Sequence, residues 1–290
     1  MANENSTHWI DLHLHSDKSD GTCSLAELIN LAVSKNIRTI SITDHDTIAG
    51  LKEGIRLGKE KKLNVIPGIE ISSKYTKGAL HILGYGLDFG DPEFKMALQH
   101  FQDVRKERNR RIISKLQSLG IDITMDEIID RNPSNKSIGR PHIASVLLEK
   151  GAVINMGDAF DKYLGINGKA FVSKEVLTSS ETIHLIHSVG GLAFLAHPST
   201  LNLSDKDLKA YVEKLLKEGL DGIEVFSSAH TEGQTQLYEN ICQKYQLLVS
   251  GGSDFHGDHK KDVKMGVCSS GQRISADMVS QELLNMSFNG

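Results

Sequence analysis

The side chains that bear on chemistry here are histidines and acids. The sequence holds 13 histidines, and their placement matters more than their number. His13 and His15 flank Leu14 in an alternating apolar run. On a strand, residues i and i+2 point to one side, so both imidazoles can reach one ion. Alone, such a triplet is expected by chance in a chain this rich in histidine. Six further places accompany it. Asp20 lies in Ser19-Asp20-Gly21, and His45 in Thr43-Asp44-His45-Asp46. Glu70 ends Pro67-Gly68-Ile69-Glu70, and His81 interrupts an apolar strand. His197 lies in Ala196-His197-Pro198, and Asp254 and His256 share Gly252-Ser253-Asp254-Phe255-His256. Each has an ordinary structural alternative: a turn aspartate, a helix-capping acid, a core histidine with its bonds satisfied. Taken together they are nine metal-competent groups at one end of successive strands. Such a crowd is costly to bury unless a cation compensates it.

The elements that must position these groups follow from hydrophobic period. Strands are predicted over 9–15, 38–43, 64–70, 79–85, 192–196, 222–226 and 247–252. Helices are predicted after the capping box at Ser24 and Glu27, over 51–61, and later over 181–189, 208–216 and 235–245. Repeated β-α units imply a parallel sheet with helices outside. Candidate ligands fall at the ends of at least five strands, which favours a barrel over a doubly wound sheet with one switch point. The predicted fold is α/β, a distorted seven-stranded TIM-like barrel. The barrel spans 8–95 and 175–275, and residues 96–174 read as a helical insertion forming a lid.

With its motifs taken in order, the sequence resembles the polymerase and histidinol phosphatase (PHP) family. The motifs are DLHLHS, SDG, ITDHD, IPGIEIS, ALHILGYGL, LAHP and GGSDFHG. They cover nearly the whole chain. The resemblance implies a seven-stranded β/α barrel with a trinuclear centre and a metal-dependent phosphoesterase activity. It implies that His13, His15, Glu70 and Asp254 bind one metal and carry catalysis through an activated hydroxide. Glu70 would bridge to a second metal held by His81 and His197, and Asp20, His45 and His256 would hold a third. A mixed nitrogen and oxygen donor set suits manganese, iron or zinc and does not choose between them. The chemistry needs such a cluster because a phosphomonoester repels an incoming hydroxide; paired cations lower the pKa of water and offset charge on the phosphoryl oxygens.

The insertion carries Ser137-Ile138-Gly139-Arg140-Pro141-His142. This resembles the arginine-plus-histidine motif of family members, so Arg140 and His142 are expected on substrate phosphate, Arg140 as a bidentate guanidinium. His230 follows the sixth strand and is expected to contact phosphate or protonate the leaving group. Asp11, Asp44 and Asp46 are expected to orient ligand histidines. Arg108 and Lys174 belong to charged runs that are usually solvated. His184 and His187 read as structural or exposed, and His8, His100 and His259 as surface residues.

The expected substrate is a small phosphorylated compound: a nucleoside 3′,5′-bisphosphate, a nucleoside monophosphate, or a short RNA trimmed from its 5′ end. Histidinol phosphate is the alternative substrate. A metal-binding module acting through a protein partner is the alternative to an enzyme. The net charge of −4 gives no global surface for long nucleic acid. No apolar run approaches a membrane span of roughly 18 residues. The three scattered cysteines and the polar first residues predict a cytoplasmic protein. Oligomeric state is not legible.

Overall fold

The computed structural model describes residues 7–131, 138–173 and 176–286. Ser137 and Lys174 lie outside the described residues. Seven strands form one sheet in sequence order: β1 (Trp9–Leu14), β2 (Ile37–Ile42), β3 (Asn64–Ser73), β4 (Leu80–Tyr85), β5 (Leu192–Leu195), β6 (Gly222–Ser227) and β7 (Leu248–Gly252). The sheet curls until its first and last strands meet, giving the expected distorted seven-stranded barrel. His15 N–H donates to Phe255 O and Asp254 N–H to His13 O, both at 3.0 Å. At the other end Ile10 N–H donates to Ile274 O.

The prediction of a wholly parallel sheet is corrected. β4 runs antiparallel to both β3 and β5. The physical reason lies in the connection between Ser73 and Leu80, which is far shorter than the dozen or more residues a parallel crossover requires. Inversion brings the start of β4 to the end of the barrel where the other strands finish. His81 therefore reaches the same region although it opens its strand.

Helices α1 (Leu25–Ser34) and α2 (Leu51–Glu60) follow β1 and β2. Ser24 and Glu27 close a reciprocal capping box at the start of α1, and Leu25, Leu28, Ile29 and Ala32 form its buried face. Five helices then fill the insertion: α3 (Pro92–Ser118), α4 (Met125–Asp130), α5 (Arg140–Glu149), α6 (Met156–Ala159) and a π-helical turn at Phe160–Leu164. Asp91 caps α3, with Pro92 at its first turn, where a missing N–H costs nothing. The barrel resumes with α7 (Ser179–Ser188), α8 (Asp205–Lys217) and α9 (Glu232–Tyr245), and ends with α10 (Gln281–Leu284).

The insertion has an apolar core of its own. Ile112, Leu116, Ile128, Ile143, Leu147 and Leu164 pack together, apart from the barrel core of Leu12, Ile82, Phe194 and Val225. A buried ion pair joins the two bodies: the Arg105 guanidinium of α3 donates to Asp46, just beyond β2. Among the described residues no helix is long and apolar enough to cross a membrane.

Closure of the barrel depends on Gly252. A Cβ placed there would lie 2.3 Å from His13 Cβ and 2.4 Å from His13 N, a clash with backbone that no rotamer relieves. Gly252→Ala is expected to force β7 away from β1 and to destabilise the fold by about 2–3 kcal/mol. Denaturant unfolding of the two proteins checks this, and equal midpoints would refute it.

Candidate metal centre

One carboxylate lies at the middle of the barrel mouth. Glu70, buried on β3, has Oε1 at 2.8 Å from His81 Nδ1 and 2.9 Å from His197 Nε2. Its Oε2 lies 3.1 Å from His45 Nδ1, 3.2 Å from His15 Nε2 and 3.3 Å from His13 Nε2. The two oxygens thus face two different sets of rings. Around this centre the ligating atoms fall into close groups. His13 and His15 meet Asp254; His13 and His197 meet Glu70; His45 and His81 also meet Glu70. Asp20, His45 and His256 form the fourth group with His15. All nine sequence-predicted positions are brought together, with His13, His15, His45 and Glu70 each shared between two groups.

The backbone delivers them by simple rules. Asp11, His13 and His15 alternate with Ile10, Leu12 and Leu14, so one side of β1 is polar and the other apolar. His197 and Asp254 lie just past β5 and β7 with φ of 22° and 57°. Positive φ in such residues is strained and persists where surroundings enforce it.

Electrostatics hold the acids ionised. Burial alone would raise the Glu70 pKa, but His45, His81 and His13 bring it well below the ordinary range. Asp254 behaves likewise, burial being outweighed by the Lys260 ammonium, which donates to it, and by His256 and His13. Burial drives His45 down to about 3 against the attraction of Glu70 and Asp20. Burial also lowers His13, yet Glu224, Glu70 and Asp254 outweigh it and raise the pKa well above normal.

The donor set fits divalent cations. Glu70 Oε2, His45 Nδ1 and His81 Nδ1 are buried without a hydrogen-bond partner among the described residues, although they crowd one another. Atoms that approach without bonding aim their lone pairs at common points, which cations satisfy.

Comparison with known proteins settles the family. The PHP domain model matches residues 11–251. The chain belongs to the PHP domain family. This PHP domain is 34% identical, over 85% of its length and 89% of the relative, to a 5′-3′ exoribonuclease of Haemophilus influenzae. It is 30% identical to a 3′,5′-nucleoside bisphosphate phosphatase of Chromobacterium violaceum, over 88% of the chain and 90% of the relative. In structure it resembles a candidate metal-dependent phosphoesterase of Bifidobacterium adolescentis, with a TM-score of 0.84, 27% identity and 99% of each chain covered. A metal-dependent phosphoesterase is the function these similarities support.

The remaining sequence expectations fare unevenly in this PHP domain. The described contacts of Asp11, Asp44 and Asp46 are not with the ligand rings. They hold backbone and hydroxyls: Asp11 accepts from His13 N, Ser253 and Gly266 N, Asp44 from Ser16 and Ser19, and Asp46 from Ser72 N and Arg105. They orient the loops that carry ligands. His230 is buried, with Nδ1 donating to Val225 O at 2.8 Å and Nε2 without a hydrogen-bond partner among the described residues. Burial lowers its pKa. Its expected contact with phosphate or the leaving group stands as a proposal. His184, His187, His8 and His100 are exposed. His259 is not a simple surface residue. Its Nδ1 donates to Asp20 O at 2.7 Å, and its ring meets His142 edge-on at 5.7 Å.

Three charged groups at the site escaped the sequence reading. Glu224 sits in an apolar strand, where period two sets it opposite Ile223 and Val225. Lys260 lies in a basic run past the last ligand and reaches back to Asp254. Arg105 shares a helical stripe with Leu98, Asn109, Ile112 and Leu116, all buried, and this spacing was the available signal.

His142 gives a pH prediction. Its Nδ1 accepts Gly139 N–H at 3.0 Å and closes the start of α5, while burial lowers its pKa from 6.5 to about 4. The unfolded chain therefore takes up this proton first. The contribution is whole above about pH 6.5 and is lost as pH falls toward 4, amounting to no more than about 3 kcal/mol. His142→Gln keeps a capping acceptor but does not titrate. Urea unfolding at stepped pH should show wild type losing stability faster than the variant over that window; parallel curves would exclude the assignment.

Proposed function

We propose that this chain hydrolyses phosphomonoesters of nucleotides, with three divalent ions of manganese, iron or zinc held by the nine clustered residues. His13, His15 and Asp254 hold one ion, with Glu70 beside them. Glu70, His81 and His197 hold a second, and Asp20, His45 and His256 a third. When bound, the ions lower the pKa of water and offset charge on phosphoryl oxygens. The chain's own groups do the remaining work.

The observation that carries the substrate reading is a set of three arginines on α3 and α5 of the insertion, one of which reaches the barrel. Burial and the neighbouring Arg140 and Arg105 push Arg108 down to about 9, and burial with Arg105 also lowers Arg140. Arg105 and Arg108 stand three residues apart on α3 and so share a face of that helix, and Arg140 opens α5. Arg105 is tied to Asp46, next to His45. Arg108 and Arg140 donate to the carbonyls of Val172 and Leu164, and neither pairs with a carboxylate among the described residues. Half-buried guanidiniums that form no ion pair with a carboxylate among the described residues suit an anionic ligand, and guanidinium geometry suits phosphate. Arg108 therefore joins Arg140 here, contrary to its reading as a solvated charge.

His142 adds a directed donor. Its Nδ1 accepts from Gly139, so the neutral ring carries its proton on Nε2. Its ring meets that of His259, which donates to Asp20 O, and this supports a role for His142 beside the third ion's ligands. In hydrolysis a water oxygen bonds to phosphorus, the ester P–O bond breaks, and the alcohol leaves with a proton. Arg108, Arg140 and His142 would fix the phosphate for that attack. The insertion, with α3 and α5 supplying these groups, would act as the lid. The exoribonuclease relative keeps 5′ trimming of short RNA as a second reading.

Manganese-loaded protein should release inorganic phosphate from adenosine 3′,5′-bisphosphate faster than from histidinol phosphate, and a 5′-phosphorylated RNA trinucleotide assayed alongside reports trimming. Absence of turnover on every phosphoester by metal-loaded protein would end the enzymatic reading. Arg140→Ala removes a charged hydrogen bond, so kcat/KM should fall about 10- to 100-fold. Unchanged kcat and KM would remove Arg140 from the substrate site.

A further inference from the structure

β6 supplies none of the nine candidate ligands, yet it carries a fully buried acid. Glu224 lies between β5 and β7 and uses both of its oxygens. Oε1 is 2.9 Å from His13 Nδ1, and Oε2 accepts the His197 backbone N–H at 2.7 Å. These partners come from opposite sides of the barrel mouth, one just before the end of β1 and one just after β5.

We infer that Glu224 is a positioning residue that sets the His13 ring and the His197 turn together for metal binding. The inference rests on the metal-centre reading above. His13 has two nitrogens, and only one can serve an ion. A proton held on Nδ1 by Glu224 leaves Nε2 as the donor, and Nε2 is the atom facing Glu70 and Asp254. The same carboxylate grips the N–H of His197, whose φ of 22° is strained. That grip fixes the turn from which His197 Nε2 reaches Glu70 at 2.9 Å. The His197 ring is steadied from its other side by Thr200 Oγ1 at 3.1 Å. A buried carboxylate is expensive unless its bonds compensate it, and both of these bonds end on candidate ligands. None of Asp20, His45 and His256 touches Glu224 among the described contacts. The effect of losing it is therefore selective.

The test is equilibrium uptake of Mn2+ by metal-stripped protein, followed by elemental analysis and by the spin-resonance signal of coupled manganese. Glu224→Gln keeps the shape but cannot accept at both ends. It should weaken the ions at His13 and His197 about 10- to 100-fold, dim the coupled-manganese signal, and leave the ion at Asp20, His45 and His256 at wild-type affinity. Repeating the titration with Asp20→Asn, alone and combined with Glu224→Gln, assigns the steps. Glu224→Asp retains the charge and should recover part of the loss; if the Gln variant fails to fold by circular dichroism, the Asp variant is read by the same criterion. Wild-type affinity for every ion in the Glu224 variant overturns the inference. A loss spread equally over all ions also overturns it, because that marks a general structural defect. Wild-type protein that takes up no divalent ion would instead strike the metal-centre reading itself.

Discussion

The barrel mouth is governed by one constraint: a single buried carboxylate, Glu70, has five imidazoles within 3.3 Å. Water cannot solvate this crowd, so its charges must balance internally or through ions. Much of the surrounding structure follows from that requirement. β3 runs on to Ser73, which sets Glu70 deep within the strand and not at its tip. β4 turns back at once, so His81 is delivered from its first turn of strand. Lys260 is drawn in from the surface to Asp254.

Around the rings, a further tier of acids works on the backbone. Asp11 gathers β1, Ser253 and Gly266, while Asp44 ties the Ser16–Ser19 turn to the end of β2. Each of these carboxylates accepts several bonds, which is what makes its burial tolerable. Three non-glycine residues at strand ends, Asp46, His197 and Asp254, adopt positive φ. The bonds that fix them also fix the site, so local strain and ligand geometry share the same support.

Legibility of the sequence was uneven for physical reasons. Strand alternation announced the polar face of β1, and the reciprocal cap at Ser24 marked the start of α1, whereas the caps at Thr178 and Thr231 went unread and α7 and α9 begin earlier than expected. His15, His45, His197, Asp254 and His256 were readable because they fall just past strand ends, whereas Glu70 lies within β3 and His81 near the start of β4. The inversion of β4 was legible only in loop length, which the alternation of strands and helices obscured. Glu224 and Arg105 were hidden by their neighbours: an acid within Gly-Ile-Glu-Val-Phe reads as the polar face of a strand, and an arginine within a charged helix reads as solvated. Their partners lie 211 and 59 residues away in sequence, a separation that local pattern does not span. The tautomer of His230 depends on Val225 O and is likewise a property of the fold.

The two separate apolar cores have an evolutionary consequence. Residues packing Ile112, Ile143 and Leu164 drift under constraints that the barrel's Phe194 and Val225 do not share. Changes distant in space and without common partners add nearly independently. Substitutions in the insertion's core are thus expected to leave the barrel's packing undisturbed, and the Arg105–Asp46 ion pair and the His142–His259 ring contact are places where any recombination of the two must remain compatible.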